Sequence, residues 1–232
     1  MDPKISVIIP AHNEENYIKK SLHSLKSQTY QNFETIVVCN GCTDNTEELV
    51  RKRSNERLKF FSLPEANVSK ARNFGAKLAY GDIFLFLDAD TSLEVDTLQT
   101  IKDQFDQKHA VATLKSRPDE NKLKYKFALA IKNFYNSTGL YHGCSGALIC
   151  RKEDFWKVDG YDPQIIVKEH RKLTLNLEKA TEKKFKCISS YATTSMRRYN
   201  EWGLTKATLF WAKQWLKDNF GDLSQSDYEK VR

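Results

Sequence analysis

The stretch GDIFLFLDADT, Gly81 to Thr91, opens on a glycine, runs unbroken through Ile83-Phe84-Leu85-Phe86-Leu87 and closes on two acids. Five consecutive apolar residues show no in-and-out alternation, so this strand is covered on both faces. Strands of that kind sit in parallel sheets with helices packed on each side, and such sheets hold ligands outside the carboxyl ends of their strands. Asp88-Ala89-Asp90 stands at that exit. Alternate residues of an extended segment point the same way, so both carboxylates are expected to face one hard divalent cation, Mg²⁺ or Mn²⁺. Acids at a strand end are also ordinary solvated turn residues, and the neighbouring exits weigh toward the metal.

Those exits follow from the rest of the first half. Ile5 to Pro10 is a second doubly covered strand stopped by proline, Phe33 to Cys39 another broken by Asn40-Gly41, and Leu58 to Leu63 a third. Ile18, Leu22 and Leu25 have helical spacing after the first strand. Asp44-Asn45-Thr46-Glu47 reads as a helix start with acids where the helix dipole favours them, and Val68 to Tyr80 as a helix closed by Gly81. Strand and helix in alternation predict an α/β chain with a Rossmann-like, mostly parallel central sheet. The exits Pro10 to Glu15, Cys39 to Asp44 and Asp88 to Thr91 all carry polar residues. Beyond about residue 115 the pattern loosens. Leu114 to Pro118 reads as leaving the sheet, Lys122 to Tyr135 as a helix, Gly143 to Cys150 as a small-residue loop entering a strand, and Trp202 to Phe220 as a C-terminal helix rich in aromatics.

Composition narrows the function. The chain has 232 residues, 40% hydrophobic, with 37 Lys and Arg against 30 Asp and Glu, a formal charge of +7. That is a folded chain with one sizeable core, and disordered, collagen-like and coiled-coil classes are excluded. The positive excess points to an anionic partner such as a nucleotide, a phosphate or a membrane surface. The basic residues are interleaved with acids and no nucleic-acid signature is present, so no nucleic acid is expected. No apolar run approaches the roughly 18 residues of a membrane span. Met1-Asp2-Pro3-Lys4 lacks the layout of a signal peptide, and five cysteines form no even framework. A cytoplasmic location is expected. Cys39-x-x-Cys42 has no matching second pair for zinc and reads as a buried strand end and its turn. Leu204, Trp211, Trp215 and Phe220 among Lys206, Lys213 and Lys217 suit either peripheral contact with the inner membrane face or packing on the domain.

Ile5 to Leu22 (ISVIIPAHNEENYIKKSL), Ile36 to Thr46 (IVVCNGCTDNT), Ser69 to Ala79 (SKARNFGAKLA) and Gly81 to Thr91 resemble, in order and spacing, family 2 glycosyltransferases of the GT-A fold. Gly143 to Tyr161 (GCSGALICRKEDFWKVDGY) resembles that family's acceptor-side segment, and Thr193 to Trp215 the tail of its short bacterial and archaeal members without a membrane anchor. The resemblance covers nearly the whole chain. It implies a single domain over residues 1–232, with a nucleotide-sugar half of about residues 1–115 and an acceptor half of about 116–232. The reaction implied moves a sugar, with inversion, from a UDP- or GDP-linked donor to a sugar, lipid-phosphate or protein acceptor.

Carried over by position, Pro10, Ala11, His12, Asn13 and Glu14 form the loop under the base and ribose. Asn40 stands where the family has an Asp that bonds the base, and Arg72 matches a basic residue near the diphosphate. Asp88 and Asp90 match the metal-holding pair, whose cation stabilises the leaving nucleoside diphosphate. Ser145 and Gly146 fall in the acceptor loop. The departure is Lys168-Glu169-His170-Arg171-Lys172-Leu173, where the family has Glu-Asp-x-Asp-Leu: Glu169 matches, but His170 replaces the Asp that serves as general base. Three readings stay open. An isolated imidazole titrates near pH 6.5 and suits the base role. A phosphate acceptor, drawn by Arg171, Lys172, Arg197 and Arg198, needs no base. Or the chain is a degenerate nucleotide-binding protein without turnover. Nucleotidyl transfer fits less well, because Pro10 to Glu14 contains no glycine for a phosphate loop.

Overall fold

A computed structural model of the chain describes residues 2–139, 142–144, 146–165 and 167–220, with the side chains of residues 204, 208, 211, 212 and 215–220 outside that description. Strands β1 (Ile5–Ala11), β2 (Phe33–Asn40), β3 (Leu58–Leu63) and β4 (Ile83–Leu87) alternate with helices α1 (Ile18–Lys26), α2 (Thr46–Arg51) and α3 (Val68–Leu78). All pairings among these four strands are parallel. The unbroken apolar runs are explained by two cores, one on each face of the sheet. Val7, Ile9, Val37, Leu85 and Leu87 join Ile18, Leu22 and Val50 on the α1 and α2 side. Ile8, Ile36, Val38, Phe84 and Phe86 join Ala71 and Ala76 of α3 on the other. Each such side chain contributes roughly 1.5–3 kcal/mol by leaving water, so residues of both parities must be apolar.

The remaining elements are β5 (Thr91–Leu93), α4 (Thr97–Gln104), β6 (His109–Pro118), α5 (Leu123–Thr138), β7 (Ala147–Arg151), α6 (Lys152–Lys157), α7 (Glu169–Thr181), β8 (Lys184–Thr194) and α8 (Arg197–Phe220). The eight strands form one sheet in the order β3-β2-β1-β4-β7-β6-β8-β5. β7 runs antiparallel between β4 and β6, and β6 returns to a parallel pairing with β8. The strand order turns at β1 and β4, so the exits of β1, β2 and β4 open on one edge. That is the place where α/β sheets take ligands.

Three expectations need correction. Leu114 to Pro118 does not leave the sheet: β6 continues to Pro118, paired with Thr194, after a register shift between Leu114 and Lys115. The shift carries the strand past its polar stretch, and Asn133 of α5 bonds the Ser116 backbone on both sides, at 2.7 and 2.9 Å. The composition change near residue 115 therefore falls within a strand rather than between sheets. The C-terminal helix begins earlier, at Arg197, and carries a break at Gly203, whose φ of 75° is open to glycine at no steric cost. The side chains behind the membrane reading of this helix, Leu204, Trp211, Trp215, Lys217 and Phe220, lie outside the described residues. Third, Asp88 to Asp90 is a turn, closed by Thr91 N on Asp88 O.

Candidate active site

The first two strand exits are zipped together by short polar side chains. Asn13 takes a left-handed φ of 54°, which asparagine tolerates, and its side chain accepts from Thr43 N at 2.8 Å and donates to Thr43 Oγ1 at 3.1 Å. His12 Nδ1 donates to the Asn40 carbonyl at 2.7 Å, and Glu14 N donates to Thr46 Oγ1 at 2.7 Å. Pro10 and Ala11 are buried in β1. Asn40 is 3% exposed, and both ends of its amide are engaged: Nδ2 donates to Ala11 O at 2.9 Å while Oδ1 accepts from Asn67 N at 3.0 Å. An aspartate there could accept from Asn67 but not donate to Ala11. Asn40→Asp is accordingly expected to cost about 1–3 kcal/mol by setting a carboxylate oxygen against a buried carbonyl, measurable as a fall in urea midpoint. Cys42 Sγ donates to the same Ala11 oxygen at 3.4 Å, and Cys39 is buried in β2; neither is in a disulfide.

At the end of β4 the chain turns. Thr91 N bonds Asp88 O at 3.0 Å, so Asp88 and Asp90 are not alternate residues of an extended strand and do not share one direction for that reason. Each instead meets its own arginine. Asp88 Oδ1 accepts from Arg72 Nη2 at 2.7 Å, and Asp90 Oδ2 lies 3.1 Å from Arg197 Nη2. Gly146 makes this turn possible from the other side. Its carbonyl accepts Asp88 N at 2.8 Å, its φ is 68°, and a Cβ there would meet Thr91 Oγ1 at 2.5 Å. Ser145, its neighbour in the expected acceptor loop, lies outside the described residues.

Arg72 is the hub. It projects from α3, is 2% exposed, and bonds Glu169 Oε1 through Nη1 at 2.8 Å as well as Asp88 through Nη2. Its guanidinium lies 5.1 Å from the centre of the Tyr161 ring. The same face of α3 holds the loop that leads into α7. Asn73 makes paired bonds to the Tyr161 backbone at 2.7 and 2.9 Å, Asn67 Nδ2 donates to Pro163 O at 3.0 Å, and Ser69 Oγ donates to Ile165 O at 3.1 Å. That loop delivers Glu169 to the first turn of α7, where its charge suits the helix dipole. His170 is buried beside it, with Nδ1 2.8 Å from Tyr161 Oη and Nε2 3.9 Å from Asp88 Oδ1.

The electrostatics follow from this enclosure. Burial alone would raise the Asp88 carboxyl, but His170 and Arg72 outweigh it and hold the group well below the usual carboxylate range. Burial also works against the Arg72 charge, and the Glu169 and Asp88 carboxylates more than restore it. The Tyr161 phenol is pushed well above its ordinary value, chiefly by burial, so it stays a neutral partner for His170.

A second network closes the cleft from α8. Arg197 makes a two-pronged contact with Glu14, at 2.7 and 2.8 Å, while reaching Asp90, and lies 4.7 Å from the centre of the Tyr17 ring. Of the residues expected from sequence, Arg72, Asp88, Glu169 and His170 form one cluster. Glu14 and Asp90 are joined through Arg197, and His12, Asn13 and Asn40 brace the adjoining loops. Tyr161, Asn73 and the bridging use of Arg197 escaped the sequence reading. Asn73 had a signal in its place beside Arg72. Arg197 had none for Glu14, 183 residues away.

The donor set can be tested against a divalent cation. Asp88 and Asp90 offer the hard oxygens that Mg²⁺ and Mn²⁺ prefer. Among the described residues no group of three His, Cys, Asp or Glu forms a ready cage. A cation held by this pair would take its remaining oxygens from a diphosphate and water, as Mg²⁺ commonly does.

A parallel sheet with a polar cleft at its switch point, an acid pair on the fourth strand exit and a smaller antiparallel extension defines the GT-A class of glycosyltransferase fold. The glycosyl transferase family 2 model matches residues 6–159, and the chain belongs to that family. It is 31% identical over 147 residues, 61% of this chain and 19% of the relative, to glycosyltransferase GlyA of Streptococcus pneumoniae. It is 36% identical over 112 residues, 46% of this chain and 20% of the relative, to the poly(ribitol-phosphate) beta-N-acetylglucosaminyltransferase TarS of Staphylococcus aureus. The chain thus spans about a fifth of the length of these two relatives. Among solved structures, mannosyltransferase PcManGT from Pyrobaculum calidifontis, in complex with GDP-Man and Mn²⁺, aligns with a TM-score of 0.71 at 19% identity, covering 96% of this chain and 66% of that one. TarS in complex with UDP-GlcNAc aligns with a TM-score of 0.64 at 24% identity, covering 82% and 58%.

Proposed function

We propose that this chain transfers a glycosyl group from a UDP- or GDP-linked sugar to an acceptor, with inversion. The observation that carries the reading is the Asp88–Arg72–Glu169 network, which places the strand exit of the donor side and the first turn of α7 on one buried guanidinium. Residues 1–115 hold the nucleotide, at the strand exits that Pro10 to Glu14 and Asn40 form at the ends of β1 and β2, and residues 116–232 face the acceptor. Asp88 and Asp90 hold Mn²⁺ or Mg²⁺, which, when bound, neutralises the charge that develops on the leaving diphosphate. Arg72 fixes Asp88 and Glu169 in place. His170 takes a proton from a hydroxyl acceptor through Nε2 in the tautomer whose Nδ1–H donates to Tyr161. A lipid-linked phosphate acceptor, already ionised, needs no such step, and Arg171 and Lys172 on the same turn of α7 favour it. Peripheral contact at the inner membrane face belongs to this reading.

The test is nucleoside diphosphate release from a panel of UDP- and GDP-sugars, with Mn²⁺, Mg²⁺ or chelator, and with hydroxyl or lipid-phosphate acceptors. Metal-dependent, acceptor-stimulated release is the expected result. Nucleotide binding without release in any combination identifies a degenerate, non-transferring protein instead.

Arg197 carries a separate expectation, because its guanidinium stands against the Asp90 carboxylate that the cation needs. Arg197→Gln is expected to bind free Mn²⁺ about fivefold more tightly, the equivalent of one partly screened ion pair. The loss of the free Mn²⁺ signal in electron paramagnetic resonance measures it. Unchanged affinity would mean that Arg197 and the cation do not compete.

A further inference from the structure

Helix α5 turns its apolar stripe outward. Leu123, Phe127, Ile131, Phe134 and Tyr135 recur at the spacing of one helical face, yet they are 83, 69, 44, 64 and 46% exposed. The helix is not loosely placed. Tyr125, Leu129 and Asn136 are buried beneath it, Asn133 bonds the β6 backbone twice, and Tyr125 Oη donates to Asn200 of α8 at 2.8 Å. Its inner face is thus already satisfied, and an exposed stripe of large side chains on a seated helix marks an interaction surface. The charge around the stripe identifies what it meets. From Asn121 to Lys152 the sequence has no acid; Lys122 is paired with Glu120 at 2.7 Å, and Lys124, Lys126 and Lys132 fall on α5 itself. Lys124 and Lys126 are exposed on the two flanks of the stripe.

We infer that the outer face of α5 is a docking surface for an anionic lipid bilayer. Apolar side chains flanked by lysines, on a helix lying flat against its domain, match the interfacial region of a bilayer, where rings enter the acyl boundary and ammonium groups stay at the headgroups. A second copy of the chain is a poorer occupant, since two such helices face to face would set lysines against lysines with no acid on either helix. Through Tyr125 and Asn200 the surface adjoins the start of α8, three residues from Arg197, so docking places the cleft beside the membrane. This inference deepens the peripheral contact proposed above and rests on that part of it.

The experiment is flotation of the full chain with vesicles of phosphatidylcholine alone or with about one third phosphatidylglycerol. Binding is expected to the anionic vesicles and to weaken with salt. Phe127→Ser and Phe134→Ser are each expected to lower partition about tenfold, and Lys124→Gln and Lys126→Gln about fivefold each. All four side chains are exposed, so circular dichroism and melting are expected to stay unchanged. No binding at low salt, or binding indifferent to both phenylalanines, overturns the inference. So does a concentration-dependent dimer that Phe127→Ser dissolves, which assigns the face to a second copy. Nucleoside diphosphate release with a water-soluble acceptor reads the transferase reaction apart from docking: release without vesicle binding sinks the surface alone, and vesicle binding without release sinks the transferase reading alone.

Discussion

Arg72→Met is expected to destabilise the chain by about 3–5 kcal/mol, the range for breaking a buried ion pair from one side. Arg72 is 2% exposed, and the Glu169 side chain is 10% exposed, so removing the guanidinium strands a carboxylate in a site water hardly enters. Asp88, at 37%, is better hydrated and suffers less. The double variant Arg72→Met/Glu169→Gln is expected to recover part of the loss, since the stranded charge goes with its partner. Urea unfolding of the parent, both single variants and the double variant measures this. Additivity of the two single changes would remove Arg72 from the role of hub.

The acid limb of stability supplies an independent reading of the same contact. Because the folded Asp88 carboxyl is held below its ordinary value of 3.8, its contribution is fully present above that value and is lost as pH falls toward the folded one. The parent is expected to lose stability steadily below about pH 4. In Arg72→Met one of the groups that lower this carboxyl is gone, so that part of the slope is expected to flatten.

Asp90→Asn is expected to lower nucleoside diphosphate release by about 10²–10³-fold while leaving the melting temperature nearly unchanged. The two halves of this expectation have different causes. Release depends on a cation whose hard oxygen ligands are Asp88 and Asp90, and an amide is a weaker ligand without charge. Stability depends little on Asp90 because Arg197 keeps its two-pronged contact with Glu14. Asp88→Asn is expected to impair both release and stability, since Arg72 loses a partner. Parallel measurement of metal-dependent release and melting for the two variants separates the effects. Full release in Asp90→Asn would remove the cation from that carboxylate.

Much of the candidate site was legible because its parts sit at strand exits. The carboxyl end of a buried strand exposes polar residues at one edge of a parallel sheet. The exits Pro10 to Glu15, Cys39 to Asp44 and Asp88 to Thr91 could therefore be located from apolar runs, while the roles expected of Pro10 to Glu14, Asn40 and Asp88 came from the family resemblance. The geometry of the acid pair was not legible: a strand period was extended two residues beyond the point where Thr91 N closes a turn on Asp88 O. Nor was the internal use of Asn40. Its position in the resemblance suggested contact with the base, while its neighbours show an amide whose two ends tie Ala11 to Asn67.

The sequence alone determined the alternating α/β order, the parallel sheet and the family, because doubly apolar strands, helical spacing and strand-exit residues are local patterns written in consecutive positions. Tertiary structure decided what lies between distant positions. It brought Arg197 onto Glu14 and Asp90, set Arg72 between Asp88 and Glu169, and carried β6 past residue 115. It also decided which way α5 faces. The spacing of Leu123, Phe127 and Ile131 shows that an apolar face exists, but only packing against β6 and β8 fixes whether that face is buried, and here Tyr125, Leu129 and Asn136 hold the inner side. Periodicity specifies the angle between side chains on one element, whereas burial depends on every other element that competes for the same surface.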